Sequence, residues 1–132
     1  MLTREQREFA CRAMVDALLE ISVDVIAFCV GAKHWHGLLR FRDPVKHRGQ
    51  NRDAQLLVGR AKGKSAREMS RARIAPKGGI WASRCRARPV KNRSHQLSIA
   101  KYIRAHAKKG AAVIMLPLAP AKPEASAPGR NR

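Results

Sequence analysis

The sequence predicts an α+β domain, an antiparallel sheet with helices packed on it, from three observations. A helical apolar stripe opens the chain, two β-rich runs separated by a short turn follow it, and a second well-capped helical pattern lies near the far end.

Thr3, with Gln6 three residues later, matches a capping box. Phe9, Ala10, Ala13, Met14, Ala17 and Leu18 recur behind it at helical spacing, which predicts a helix over residues 4–20. ISVDVIAFCV is β-branched and apolar, so residues 21–30 read as a strand. Gly31-Ala32 reads as a turn and KHWHGLLRF as the returning strand of a hairpin. Asp43-Pro44 is a cap followed by proline at the first helical position, which starts a second helix near residue 44 that runs on to Arg60. The basic stretch AKGKSAREMSRAR is expected to hold a short helix in its middle, and PKGG a turn. IWASRCRARPV has strand-like alternation: Trp81, Ser83, Cys85 and Ala87 face Ala82, Arg84, Arg86 and Arg88 across the chain. NRSHQLSIAKYIRAHAKKG reads as the last helix, capped by Asn92 or Ser94, with Lys108 and Lys109 suiting its C-terminus and Gly110 stopping it. Residues 1–116 are expected to form one domain, and residues 117–132, rich in Ala, Pro and Lys, a disordered tail.

The chain carries 28 Lys and Arg against 9 Asp and Glu, a net charge of +19. In residues 1–45 the signs balance: Arg4, Arg7, Arg12, Lys33, Arg40 and Arg42 against Glu5, Glu8, Asp16, Glu20, Asp24 and Asp43. The whole excess falls in the remainder, where basic residues have few acidic neighbours, and such an excess fits a polyanion. The longest apolar runs, VIAFCVGA and AAVIMLPLAPA, are too short to span a bilayer, and the opening LTREQRE is no signal peptide. Cys11, Cys29 and Cys85 are odd in number and far apart, which suits reduced, mostly buried thiols in a cytoplasmic protein. Nucleic acid is therefore the expected polyanion, and a membrane is not expected. The candidate backbone contacts are Arg60, Lys62, Lys64, Arg67, Arg71, Arg84, Arg86, Arg88 and Lys101. VGRAKGKSA lacks the G-x-x-x-x-G-K-[ST] spacing and follows a helix, so no nucleotide cofactor is expected.

Two elements carry candidate chemistry. In a strand, residues two apart share a face, so His34 and His36 project together about 7 Å apart with Trp35 opposite. They are either two partly exposed strand histidines or two ligands of one cation. On the last helix Tyr102, the only tyrosine, and His106 lie one turn apart on one face, in a stripe with His95 and Ile99. Leu97, Ala100, Ile103 and Ala107 make the neighbouring apolar stripe. Taken together, three imidazoles could hold a divalent ion beside a phenol. A phenol titrates near 10 and is a poor nucleophile at neutral pH unless a cation polarises its target.

HWH at 34–36 and the run GGIWASRCRARPV…HQLSIAKYIRAHAKKGAAV resemble the HUH single-strand nucleases, in particular the single-tyrosine transposases of small insertion sequences and their REP-associated relatives. The likeness spans about residues 3–115. It implies a ferredoxin-like or RRM-like HUH core, β-α-β-β-α-β. The chain begins at the first helix, so the resemblance makes it N-terminally truncated, lacking a central strand beside the HUH strand. It further implies DNA transposition and recombination on single-stranded or hairpin DNA, Tyr102 as the nucleophile of a 5′-phosphotyrosine intermediate, and His34, His36 and His106 as metal ligands. The family works with Mg or Mn, while an all-imidazole set suits Mn, Co, Ni or Zn better than Mg. Members are often homodimers. The alternative is a non-catalytic basic nucleic-acid-binding protein derived from a decayed transposase. A weaker one, a zinc hydrolase, lacks a carboxylate base near the histidines.

Overall fold

The computed structural model describes residues 1–41, 52–81 and 87–116, an α+β arrangement of three α-helices and three strands. Helix α1, Arg4–Glu20, starts where the capping box places it. The Gln6 amide donates to Thr3 Oγ1 at 3.1 Å, and the Thr3 amide donates to Gln6 Oε1 at 2.9 Å. Its buried stripe is Ala10, Cys11, Ala13, Met14, Val15, Ala17 and Leu18. Ser22, left-handed at φ 66°, turns the chain into β1, Val23–Val30, so the strand begins two residues later than the apolar run suggests.

The chain returns antiparallel as β2, Trp35–Phe41. The register pairs Val25 with Leu39 and Ala27 with Leu38, leaving Ile26 as an extra residue in a bulge. This bulge reverses the alternation of β1. Val23, Val25, Phe28 and Val30 all join the core under α1, while Ile26, Ala27 and Cys29 turn to the other face. Trp35, Leu39 and Phe41, at alternating positions of β2, pack on the α1 face.

Helix α2 spans Arg52–Arg71. The sequence suggests a helix ending near Arg60 and a separate short one, but the described residues form one continuous helix. Ala54, Val58, Ala61, Ser65 and Met69 form an unbroken buried stripe, and Val58, Ala61 and Met69 join the core under α1. That stripe outweighs the cost of Gly59 and Gly63 in the interior, about 1 kcal/mol each. A start near residue 44 lies outside the described residues. Ser65, fully buried, donates to the Ala61 carbonyl at 2.8 Å and accepts from Trp81 Nε1 at 2.8 Å. Trp81 meets Trp35 edge-on at 6.0 Å, so it packs and is not displayed for a base.

The expected strand over residues 80–90 is not borne out at its ends: Ile80, Trp81 and Ala87–Val90 are not extended into a sheet, and its centre lies outside the described residues. Instead the apolar run after Gly110 forms β3, Ala112–Met115, antiparallel to β1. The order is β2-β1-β3, with β1 in the middle. Before it, α3, Arg93–Ala105, is capped by Asn92, whose side chain accepts from the His95 amide at 2.9 Å. A short 3-10 turn, His106–Lys109, follows and ends at Gly110, left-handed at φ 87°. Helix α3 covers the sheet face opposite α1, burying Ile103 against Ala27, Cys29 and Leu38. The buried side of α3 is Ile99, Ala100 and Ile103; Leu97, expected in that stripe, is 56% exposed.

Cys11 and Cys29 are buried free thiols, and burial pushes Cys11 up to about 12. Cys85 lies outside the described residues. No helix among the described residues is long and apolar enough to cross a membrane.

Gly37 is where the hairpin is least tolerant. A Cβ there would stand 2.9 Å from two carbons of the Phe28 ring, which is fully buried and stacked on Trp35 at 5.3 Å. Gly37→Val should lower stability by about 1–3 kcal/mol. Urea unfolding reads the change, and an unaltered midpoint would mean the Phe28 ring can move aside.

Candidate functional site

The site lies at one end of the sheet, where β1 ends and β2 and β3 begin. His36 stands opposite Cys29 in the register, and Val113 stands opposite Cys29 on the other side. Because the bulge turns Cys29 and Ala27 to the α3 face, small side chains underlie this end and α3 packs against them. Tyr102 and His106 then meet His36. The ring centroids are 5.5 Å apart for His36 and Tyr102, 4.9 Å for His36 and His106, and 4.7 Å for Tyr102 and His106.

Each ring is held differently. His36 is half-buried in β2. His106 caps the C-terminus of α3 rather than lying within it, and its Nδ1 is 2.9 Å from the Tyr102 carbonyl oxygen. A carbonyl only accepts, so Nδ1 is the donor in this contact, and Nε2 is the nitrogen left to face outward. Tyr102 is 56% exposed. His34 is exposed and lies in the loop before β2, not in the strand, so it does not share the strand face of His36. It is still close enough to act on His36 electrostatically. Burial first, then the charges of His106 and His34, hold His36 below the ordinary 6.5. His36 and His106 are the two imidazoles that this end of the sheet brings together. Among the described residues no three His, Cys, Asp or Glu side chains close into one metal-holding group.

The expected phosphate contacts divide. Arg60, Lys64, Arg67 and Arg71 fall on one stripe of α2, at helical spacings of four, three and four. Arg60, Arg67 and Arg71 are exposed, and Lys64 is paired with Glu20. Lys62 is only 9% exposed and sits over the Trp35 ring at 5.5 Å, so it packs and is not part of that track. Arg88 and Lys101 are exposed, whereas Arg84 and Arg86 lie outside the described residues. On α3 and the following turn, Arg93, Lys101, Arg104 and Lys108 are exposed; Lys101 is the chain neighbour of Tyr102, while Arg93 and Arg104 fall on the far side of the helix from it. Arg93 and Arg104 are not among the expected contacts, and Lys108 is expected only as a helix-end residue, though their spacing of 11 and 4 residues stands in the sequence. His95 is tied locally, its Nδ1 accepting from the Lys91 amide at 3.0 Å. His47 lies outside the described residues.

Comparison with family models, curated proteins and solved structures finds no match for this chain.

The lowered His36 value links protonation to stability. The unfolded imidazole titrates near 6.5 and the folded one lower. The contribution is therefore whole above 6.5. It is lost as pH falls through the folded value, because first only the unfolded chain takes up the proton. Urea midpoints measured from about pH 8 down to about pH 5 should decline, and His36→Gln should flatten part of that decline. An equal slope in the variant would assign the decline to other groups.

Proposed function

We propose that this chain nicks and rejoins single-stranded DNA in the manner of the HUH single-tyrosine transposases, with Tyr102 as nucleophile. The observation that carries the reading is the meeting of an exposed, solitary tyrosine with two imidazoles from different elements, His36 and His106. The order of the motifs, H-x-H on a hairpin followed by tyrosine on a later helix, supports it. So does Lys101, exposed in the residue before Tyr102.

In this reading His36 and His106 would be the protein ligands of a divalent ion, Mg or Mn, and the expected third ligand, His34, would have to come in from the adjoining loop. When bound, the ion neutralises charge on a phosphoryl oxygen and makes the phosphorus a better electrophile. Lys101 holds a flanking phosphate, and Arg104 and Lys108 can meet the strand only further along its path. The Tyr102 oxygen forms a bond to phosphorus as the bond to the 3′ oxygen breaks. The phenolic proton leaves to solvent, and the departing oxygen gains one to become a 3′-hydroxyl. The 5′-phosphotyrosine keeps the bond energy, so an incoming 3′-hydroxyl can reverse the step without a nucleotide cofactor. In a homodimer Tyr102 would act across the pair.

A second reading is a non-catalytic basic nucleic-acid-binding protein descended from such an enzyme. The row Arg60, Arg67 and Arg71 favours it, because α2 belongs to the α1 layer, on the other side of the sheet from Tyr102.

The test uses single-stranded DNA labelled at its 5′ or 3′ end with Mn²⁺, resolved on a denaturing gel. A protein-linked band carrying the 3′-side fragment, lost in Tyr102→Phe and in His36→Ala, is expected. Binding without any adduct, equal in all three proteins, would sink the catalytic reading and leave the binding one.

A further inference from the structure

We infer that Arg7 is a positioning residue that ties together the two loops bearing His106 and His34, an inference that rests on the site proposed above. Arg7 lies on α1, behind the sheet from Tyr102, and no feature of its sequence neighbourhood marks it. Its Nε donates to the Gly110 carbonyl at 3.0 Å, across 103 residues of chain, and its Nη1 donates to the Leu2 carbonyl at 2.7 Å.

The first acceptor lies in the histidine-bearing turn itself, and the second is hydrogen-bonded to the histidine-bearing loop. Gly110 closes the turn that His106 opens: its amide donates to the Ala107 carbonyl at 3.1 Å, and the Ala111 amide donates to the His106 carbonyl at 3.2 Å. Leu2 in turn donates its amide to the Ala32 carbonyl at 3.1 Å, and Gly31 donates to the His34 carbonyl at 2.7 Å. One guanidinium therefore bridges the His106 turn directly and the His34 loop through one further hydrogen bond. Two properties suit arginine to this place. Its donors form a rigid planar fork, so fixing one carbonyl fixes the direction of the other. Its charge also lies near carbonyls at the end of a helix, where partial negative charge collects.

The position of His106 relative to His36 decides whether two imidazoles face one ion. A tie that sets that turn acts on the site without touching substrate.

The experiment has a readout that needs no catalysis. Imidazole nitrogen NMR of the metal-free protein reports whether His106 holds its proton on Nδ1, against the Tyr102 carbonyl. Mn²⁺ titration reports the pair of ligands. Arg7→Met should average the His106 tautomers and weaken Mn²⁺ binding about tenfold, in a protein that is still folded at the measuring temperature. Arg7→Lys, with one compact donor, should recover part of each. Leu2→Pro removes the amide to Ala32 along with a leucine side chain at the edge of the core, but leaves the Leu2 carbonyl and the Gly110 contact, so it should leave the His106 signal intact. If Arg7→Met fails to fold, Arg7→Lys and Leu2→Pro carry the comparison. Unmoved histidine signals and unmoved Mn²⁺ affinity in folded variants would overturn the inference. Should the native chain bind no Mn²⁺ and form no DNA adduct while Arg7→Met still releases the His106 tautomer, the proposed function falls and the positioning role stands.

Discussion

The extra residue in β1 is the constraint on which the rest of this molecule depends. Ile26 shifts the pleat by one, so two runs of bulky side chains fall on the same face. Val23 and Val25 lie before it, and Phe28 and Val30 after it. A regular strand would have sent Phe28 and Val30 to the α3 side and Ala27 and Cys29 to α1. The bulge gives α1 a deep apolar layer and leaves α3 a shallow one. A shallow layer lets a helix come down close, and the closeness of α3 to β2 is what brings three rings within contact of each other.

A second layer of dependence runs through Phe28. Its ring fills the space above Gly37 and stacks on Trp35, which in turn meets Trp81 and underlies Lys62. The aromatic column joins the hairpin to α2. Trp35 therefore belongs to this column, while its neighbour His36 faces the other way. Alternation along one strand assigns adjacent residues to two separate tasks.

Local signals in the sequence resolve what local chemistry decides. The Thr3 box, the Asn92 cap and Gly110 mark helix ends because the groups that satisfy those ends are close in the chain. The Tyr102–His106 pair is equally local. What stays hidden is what distant residues decide. AAVIM reads as a strand only once β1 offers it an edge, and α2 continues through two glycines only because α1 covers its stripe. Lys62 looks like every other lysine of its basic stretch until Trp35 arrives beneath it. The pairing of His36 with His106 follows from motif order, but the withdrawal of His34 into the loop does not. Strand spacing assigned it a face, and the strand begins one residue after it.

The central place of β1 also has a kinetic side. Its pairing with β2 closes a loop of only a few residues, whereas its pairing with β3 joins Val30 to Ala112 across most of the chain. Loop closure on that scale costs roughly 2–3 kcal/mol more than the hairpin. The late-closing segment, α3 with its turn and β3, is the one that delivers Tyr102 and His106. His36 is thus presented early by the hairpin, and the ring cluster comes into being only when the longest-range contact forms. The same segment is the natural unit of partial opening, so the cluster can dissolve and re-form while α1 and the hairpin stay folded.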